Sequence, residues 1–173
     1  MVKEHILRWA EDFERLPSKI LFYRDGVSES QYAAVREHEI RAVREAWKSV
    51  AQAKPKLNKL NKTDCQITFI IVGKRHHTRF FPRNPQDQIA RNNSNLKPGL
   101  IVDSVVTRGP VLLSDGKKIA ATDFYLQSHQ ARQGTGRSAH YVVLQNEIQN
   151  ANGQILNNRQ IQNIVSGSFL SSK

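Results

Sequence analysis

The segment Gly73–Pro82, "GKRHHTRFFP", concentrates the side chains best suited to chemistry in this chain. Arg75 and Arg79 can each chelate phosphate oxygens, Lys74 adds a point charge, and a hydroxyl and neutral imidazoles donate hydrogen bonds. A metal site is disfavoured, because adjacent histidines on an extended segment point to opposite sides and the flanking cations repel a bound cation. Acid–base catalysis lacks a neighbouring carboxylate or nucleophile. Phosphate binding is favoured, and a solvated surface is the alternative.

A second polar segment, Ser128–Tyr141, carries arginines and histidines around two glycines, which permit close approach of the backbone to a ligand. A hydrolase triad of Ser128, His129 and Asp123 is disfavoured because the nucleophile elbow is missing. A Walker loop is disfavoured because the Gly-Lys-Ser/Thr ending is missing. The two polar segments are therefore predicted to form two walls of one channel for a nucleic-acid backbone.

Asp25 stands where the apolar run "KILFY" ends, between Arg24 and Gly26. Ligands and metals in open α/β sheets are usually met at the carboxyl ends of strands, and an Asp there can bind Mg²⁺. The alternative is a simple Asp-Gly turn. A single carboxylate does not make a two-metal site, so a metal role requires other carboxylates beside it.

The net charge of +11 is placed unevenly along the chain. Residues 1–53 hold nine Lys and Arg against nine Asp and Glu, whereas residues 54–173 hold seventeen against six. A neutral third joined to a basic remainder predicts a surface for a polyanion, with nucleic acid as the leading candidate. A merely cationic, solvated face is the alternative.

Several classes of protein are disfavoured by composition. No apolar run approaches the ~20 residues that cross a bilayer. Cys65 is the single cysteine, so a disulfide framework and a cysteine-rich zinc site are not expected. The first sixteen residues contain acids throughout and lack a small-residue cleavage site, so we expect an intracellular protein without a signal peptide.

Periodicity predicts the elements of the N-terminal half. A helical stripe is expected before Pro17, then a strand over Lys19–Gly26 and a second helix opened by a capping box of Ser28 and Gln31. Gln66–Gly73 is predicted as a buried strand. The two helical stripes consist of Ile6, Trp9, Phe13 and Leu16, and of Ile40, Val43, Trp47 and Val50.

The C-terminal half is predicted to add strands to a mixed sheet. A polar loop is expected over 82–99, a turn over 114–117, and a helix beginning at Asn157 or Asn158. The strand candidates are "LIVDSVV" (100–106), "FYLQSH" (124–129) and "HYVVL" (140–144). This order of elements predicts an α/β protein.

Three strings of residues occur together and in order: "FYRDGVSE", "KRHHTR", and "FYLQSH" followed by "QGT", Arg137 and "HY". With them, the chain resembles the C-terminal half of the Piwi domain of eukaryotic Argonaute proteins, in truncated form. The resemblance covers residues 1–163, interrupted by an inserted loop at about 108–121 and followed by a divergent tail over 164–173.

The resemblance implies a partial RNase H-like fold, with a mixed β-sheet flanked by helices and lacking the first strands of the full Piwi domain. It also implies binding of small guide RNA and target RNA in gene silencing, together with silencing-complex proteins and without a membrane. A cytoplasmic location is expected, with the nucleus as an alternative.

The resemblance also assigns roles to residues. Asp25 matches the second catalytic carboxylate of slicing members, and Lys74 and Arg75 match residues that hold the guide backbone. Further residues of the same channel are His77, Arg79, His129, Gln133 and Arg137. The other three catalytic ligands have no match, so we expect no cleavage by this chain alone and Mg²⁺ only at a completed site. The alternatives are a Mg²⁺-dependent endoribonuclease when missing segments complete it, and a non-functional truncated gene product.

Overall fold

The computed structural model describes residues 1–60, 62–84, 86, 88–90, 93–107, 111–112, 118–119, 122–129, 131 and 134–170. Within them the chain divides into two compact units. The first unit comprises Met1–Tyr23, Ser28–Ile70 and Leu144–Ile155, and the second comprises Arg24–Val27, Ile71–Val143 and Leu156–Lys173.

Helices dominate the N-terminal part of the chain. The elements there are α1 (Val2–Asp12), β1 (Lys19–Asp25), a 3₁₀ turn (Glu29–Gln31), α2 (Tyr32–Ala34), a π turn (Val35–Glu39), α3 (Ile40–Ala53), a second 3₁₀ turn (Pro55–Leu57) and β2 (Gln66–Gly73). The predicted capping box is confirmed: the side chain of Gln31 accepts a hydrogen bond from the backbone N–H of Ser28 at 3.1 Å.

Short strands dominate the rest. They are β3 (Gln88–Ala90), β4 (Asn93–Leu96), β5 (Ile101–Val102), β6 (Val111–Leu112), β7 (Lys118–Ile119), β8 (Asp123–Leu126) and β9 (Ala139–Asn146), followed by helix α4 (Asn158–Leu170). Asn157 and Gln160 exchange side-chain to backbone hydrogen bonds of 3.0 Å, which fixes the start of α4 where the sequence predicts it.

Among the described residues, one sheet has the strand order β1-β2-β9-β8-β5. Strands β8 and β9 pair antiparallel with Phe124 opposite Tyr141, and β5 pairs antiparallel with β8. Two hairpins, β3 with β4 and β6 with β7, form separate two-stranded sheets. The predicted mixed α/β arrangement, a sheet flanked by helices, is confirmed.

The apolar stripe of α3 forms the core of the first unit. Ile40, Val43, Trp47 and Val50 are all buried, as their spacing predicts, and the indole N–H of Trp47 donates to the Pro17 carbonyl at 2.8 Å. The stripe of the first helix is predicted less well. Phe13 is 56% exposed: it lies just beyond the end of α1 at Asp12, its ring stacks on Trp9, and the buried residues of the helix are Ile6 and Ala10.

One arginine links three parts of the first unit. Arg44 contacts the carboxylate of Asp64 at 2.7 Å and that of Glu147 at 2.8 Å, and Glu147 also accepts from the backbone N–H of Ile67 at 3.0 Å. Burial by itself would raise the pKa of Glu147, but the hydrogen bonds from Arg44, Ile67 and Gln145 outweigh it and hold that pKa below its ordinary value.

Two predicted elements are wrong in extent. The polar loop over 82–99 contains the β3–β4 hairpin. The strand predicted over 100–106 is confined to Ile101 and Val102, which pair with Leu126 and Tyr125. The chain then bends, and Val105 takes φ +69 with its side chain fully exposed, a conformation that a β-branched residue adopts only outside a strand.

The turn predicted over 114–117 lies outside the described residues. Within the inserted loop at about 108–121, the described residues are those of the β6–β7 pair. Helix α4 extends from Asn158 to Leu170, so it runs across the start of the predicted divergent tail. The boundaries of the loop and of the tail stay predictions.

Candidate nucleic-acid interface

The second unit presents exposed cations directly after β2. Lys74, Arg75 and His77 are exposed in the irregular segment that follows Gly73. Among the described residues, no carboxylate oxygen lies within 4.0 Å of the charged groups of Lys74, Arg75 or Arg137. These positive charges are therefore available to an anionic ligand.

His76 points the other way and anchors this segment. Its Nε2–H donates to the carbonyl oxygen of Ser138 at 2.8 Å, and its ring packs edge-on against Tyr125 with centroids 5.2 Å apart. Its Nδ1 is buried and has no hydrogen-bond partner among the described residues. Burial lowers the pKa of His76, and the charges of His140, Arg79 and Arg137 lower it further, so the ring is neutral at pH 7.

The two polar segments contact each other, while the nucleic-acid channel itself stays a prediction. The guanidinium of Arg137 donates to the carbonyl oxygen of Lys74 at 3.4 Å. A Cβ placed on Gly73 would come within 4.0 Å of the carbonyl oxygen of His140. The backbone that carries Lys74 thus lies against the segment that carries Arg137.

Three buried neutral side chains shape the second polar segment. Asn95 donates to the carbonyl oxygen of Gly134 at 2.7 Å and accepts from the N–H of Gly136. Gln127 donates to the carbonyl oxygen of His129 at 2.7 Å and accepts from the hydroxyl of Ser138 at 2.8 Å. A polar loop held by buried amides keeps its shape without using its own charges.

Gly136 makes this packing possible. A Cβ at Gly136 would lie 3.1 Å from Nε2 of Gln127 and 3.3 Å from Oδ1 of Asn95, so a larger residue would displace both amides. The sequence predicts a close approach of the backbone to a ligand at these glycines. At Gly136 the close neighbours are side chains of the protein itself.

A stacked aromatic group lies beneath the two segments. His140 donates from Nε2 to the buried carboxylate of Asp123 at 2.8 Å, and its ring stacks on Tyr125 with centroids 4.3 Å apart. Asp123 therefore orients a structural histidine, which leaves no role for it in the Ser128–His129–Asp123 triad. His129 instead has its Nδ1 3.3 Å from the hydroxyl of Ser128.

The other predicted channel residues differ in what they contact. The guanidinium of Arg79 donates to the carbonyl oxygens of His76 at 3.0 Å and of Thr78 at 2.8 Å, so it closes its own loop. His129 is exposed and is held through its carbonyl by Gln127. Gln133 lies outside the described residues.

Asp25 is exposed at the carboxyl end of β1. Its Oδ1 accepts from the N–H of Gly26 at 2.7 Å, and Gly26 has φ +76, so the Asp-Gly turn exists whatever else the carboxylate does. The described residues contain no group of three or more His, Cys, Asp or Glu that could hold a metal ion. By themselves they do not fit a magnesium centre, and we assign no step to one.

The residues that sequence reasoning missed are the half-buried His76 and the buried Asn95, Gln127 and Ser138. One signal was present, since neighbouring histidines on an extended segment point to opposite sides and one of the pair had to face inward. Asn95 and Gln127 carried no such signal, because their partners are distant in sequence.

No helix among the described residues is long and apolar enough to cross a membrane.

Comparison with known proteins identifies the family. The Piwi domain model matches residues 1–164. The chain is 37% identical over 148 residues to Protein argonaute 5 of Arabidopsis thaliana and 40% identical over 149 residues to Protein argonaute 1D of Oryza sativa subsp. japonica. Each match covers 85% of this chain but only 13% and 12%, respectively, of those proteins. The chain belongs to the Piwi domain family of Argonaute proteins.

Solved structures support the same assignment. The C-terminal lobe of a budding yeast Argonaute matches with a TM-score of 0.66 and 31% identity, over 86% of this chain and 29% of that one. Kluyveromyces polysporus Argonaute with a guide RNA matches with a TM-score of 0.63 and 33% identity, over 86% of this chain and 17% of that one. Drosophila Piwi matches with a TM-score of 0.62 and 27% identity, over 95% of this chain and 18% of that one. The expected RNase H-like fold is confirmed.

Proposed function

We propose that this chain binds the phosphate backbone of a small guide RNA and its target RNA through the exposed cations of its second unit. The observation that carries the proposal is the placement of Lys74 and Arg75, which are exposed after β2 and have no carboxylate nearby among the described residues. Arg137 adjoins them through the Lys74 carbonyl. Arginine and lysine in this arrangement bind phosphates without reading sequence.

The overall charge supports a polyanionic ligand. The residues of the second unit include fourteen Lys and Arg against five Asp and Glu, whereas those of the first unit include twelve against ten. The Kluyveromyces polysporus relative is a structure with a guide RNA, which makes RNA the first ligand to test. The role that follows is small-RNA-directed silencing, in company with silencing-complex proteins.

Individual residues are proposed to act differently. Lys74, Arg75 and Arg137 contact phosphates directly, and the exposed imidazoles of His77 and His129 add hydrogen bonds. Arg79 closes its own loop and contributes mainly through the field of its charge. Gln133 is proposed as a channel residue on the family resemblance.

RNA cleavage by this chain alone is not part of the proposal. Asp25 offers one carboxylate, and hydrolysis with Mg²⁺ requires more ligands than that. The alternative function is a Mg²⁺-dependent endoribonuclease completed by carboxylates from other segments. The exposure of Asp25 at a strand end favours that alternative, because the side chain can reach a ligand outside this unit.

Binding of a labelled single-stranded oligouridylate tests the proposal. Lys74→Ala with Arg75→Ala should weaken binding by about 100-fold, because each of the two charge-assisted hydrogen bonds contributes about 1.5 kcal/mol or more. Lys56→Ala with Lys62→Ala removes the same charge from the first unit and serves as the matched control. Equal losses in both double variants would reduce the binding to general charge attraction and overturn the proposal.

A further inference from the structure

A groove in the second unit begins where the proposed backbone-binding segment ends. It has a volume of about 720 Å³, and all of its lining residues belong to that unit. The lining residues that matter here are Arg79, Phe81, Arg83, Lys97, Leu100 and Val102. A concave surface of this size can take one group of the dimensions of a nucleobase and its sugar.

Two adjacent phenylalanines in the groove have different roles. Phe80 is fixed edge-on against Tyr125, with centroids 5.3 Å apart, and Tyr125 is itself stacked on His140. Phe81 is 63% exposed. Phe80 therefore anchors the backbone of this segment. The neighbouring ring of Phe81 is exposed to solvent and can contact a ligand.

Three cations line the same groove as this exposed ring. Arg79, Arg83 and Lys97 line the groove, and among the described residues no Asp or Glu does so. Lys97 donates to the carbonyl oxygen of Gln86 at 2.6 Å, which holds its stem along the rim. A flat apolar ring beside several cations matches a nucleotide, whose base stacks on an aromatic side chain while its phosphates meet the cations.

We propose that the groove binds an unpaired nucleobase of an RNA strand whose backbone follows Lys74, Arg75 and Arg79. The base stacks on Phe81, and the adjoining phosphates contact Arg83 and Lys97. An acidic peptide with an aromatic residue would offer similar chemistry, but continuity with the basic segment after β2 favours RNA. The inference rests on the proposed function and adds a base-binding subsite to a surface that otherwise contacts only backbone.

Two RNA probes of equal length separate base stacking from backbone binding. One is oligouridylate and the other is the same oligomer with abasic sites throughout, which keeps every phosphate. Phe81→Leu should weaken binding of oligouridylate by about 5- to 100-fold, the range expected for loss of one aromatic–base stack. Binding of the abasic oligomer should not change.

Two further variants control for altered folding. Phe81→Trp restores a stacking surface and should bind oligouridylate as the unsubstituted chain does. Phe13→Leu makes the same chemical change at the exposed Phe13 of the first unit and should leave both affinities unchanged. A Phe81→Leu effect that is absent, or equal for both probes, would overturn the inference.

The outcomes distinguish this inference from the proposed function. If Lys74→Ala with Arg75→Ala leaves both affinities unchanged while Phe81→Leu still discriminates the probes, the backbone assignment fails and the base subsite stands. The converse result removes only the subsite. Phe81-dependent binding of an acidic aromatic peptide, with no Phe81 dependence for oligouridylate, would assign the groove to a protein partner and overturn the inference.

Discussion

The two units treat charged side chains in opposite ways. In the first unit, Arg44 lies between Asp64 and Glu147, and these two carboxylates of the same unit compensate its charge. In the second unit, Lys74 and Arg75 are exposed, with no carboxylate near them among the described residues. The same residue types therefore stabilise the fold in one region and remain available for a ligand in the other.

In the second unit, mainly neutral contacts position the exposed cations. His76, Asn95, Gln127 and Ser138 hold its two polar segments through hydrogen bonds to backbone and to each other. A carboxylate in any of these places would have fixed the loops equally well but would have neutralised the cations. A loop can therefore be held in place without neutralising its cations. A phosphate-binding loop requires fixed cations whose charge remains available.

The largest effect is expected at the paired arginine. Arg44→Met should lower the free energy of unfolding by about 2–3 kcal/mol, because it removes the arginine shared by two partly buried carboxylates and leaves Asp64 with Lys48 alone at 3.7 Å. Arg41→Met is the matched control: its pair with Glu45 is well exposed, so a loss under about 0.5 kcal/mol is expected. Urea unfolding of both variants measures the difference.

Cys65 offers a local measurement for the same variants. Burial raises the pKa of its thiol to about 11, and its carbonyl oxygen accepts from Arg44 at 3.2 Å. Alkylation of Cys65 should therefore be slow in the unsubstituted chain. The charge of Arg44 lowers the pKa of this thiol, so Arg44→Met speeds alkylation only if it opens the segment around Cys65 to solvent, and that opening is what the measurement detects. Weakened RNA binding in Arg44→Met without any loss of stability would contradict the assignment of Arg44 to the fold and of RNA binding to the second unit.

A smaller, pH-dependent effect is expected at Glu147. Because its pKa is lowered in the folded chain, Glu147 contributes stability that is present above its ordinary value of 4.5 and is lost as the pH falls through the folded value. Glu147→Gln should cost about 1.5 kcal/mol at neutral pH and should flatten the acid limb of the stability profile. An acid limb of unchanged steepness in Glu147→Gln would show that other carboxylates determine it.

The smallest effect on stability is expected at His76. Its pKa is lowered in the folded chain, so the unfolded chain binds more protons and stability falls as the pH drops below the ordinary value of 6.5. His76→Phe keeps an aromatic ring beside Tyr125 but loses the bond to Ser138. We expect a loss of about 1 kcal/mol above pH 6.5 and a weaker pH dependence below it.

RNA affinity gives His76 a second readout. Loosening the segment that carries Lys74 should reduce affinity for oligouridylate by a few fold, since the charges remain and only their placement is lost. The salt dependence should stay the same, because the number of cations is unchanged. His76→Phe with unaltered affinity would show that the anchor to Ser138 does not position the cations.

Much of the fold follows from local patterns in the sequence. The stripe of α3, the capping box at Ser28 and the start of α4 at Asn158 depend on contacts within a few residues, and each was predictable. The short extent of β5 was not, because it depends on pairing with the distant strand β8, which Ile101 and Val102 make and the apolar residues after them do not. The β3–β4 hairpin was missed because polar residues at its positions gave no strand signal.

The candidate site divides in the same way. Exposed cations such as Lys74, Arg75 and Arg137 were predicted, since charge and family resemblance both appear directly in the sequence. The amides that hold them were not. Asn95 contacts Gly134 and Gly136 about forty positions away, and such pairings emerge only when β4 and the segment before β9 come together.

The salt dependence of RNA binding shows whether Lys74 and Arg75 contact phosphates. The logarithm of the affinity for oligouridylate should fall linearly with the logarithm of the salt concentration, and the slope should be smaller by about 1.5 in Lys74→Ala with Arg75→Ala, since two phosphate contacts are lost. Lys56→Ala with Lys62→Ala should leave the slope unchanged. Identical slopes in the unsubstituted chain and in the Lys74 and Arg75 double variant would contradict the assignment of these two residues to the phosphate backbone.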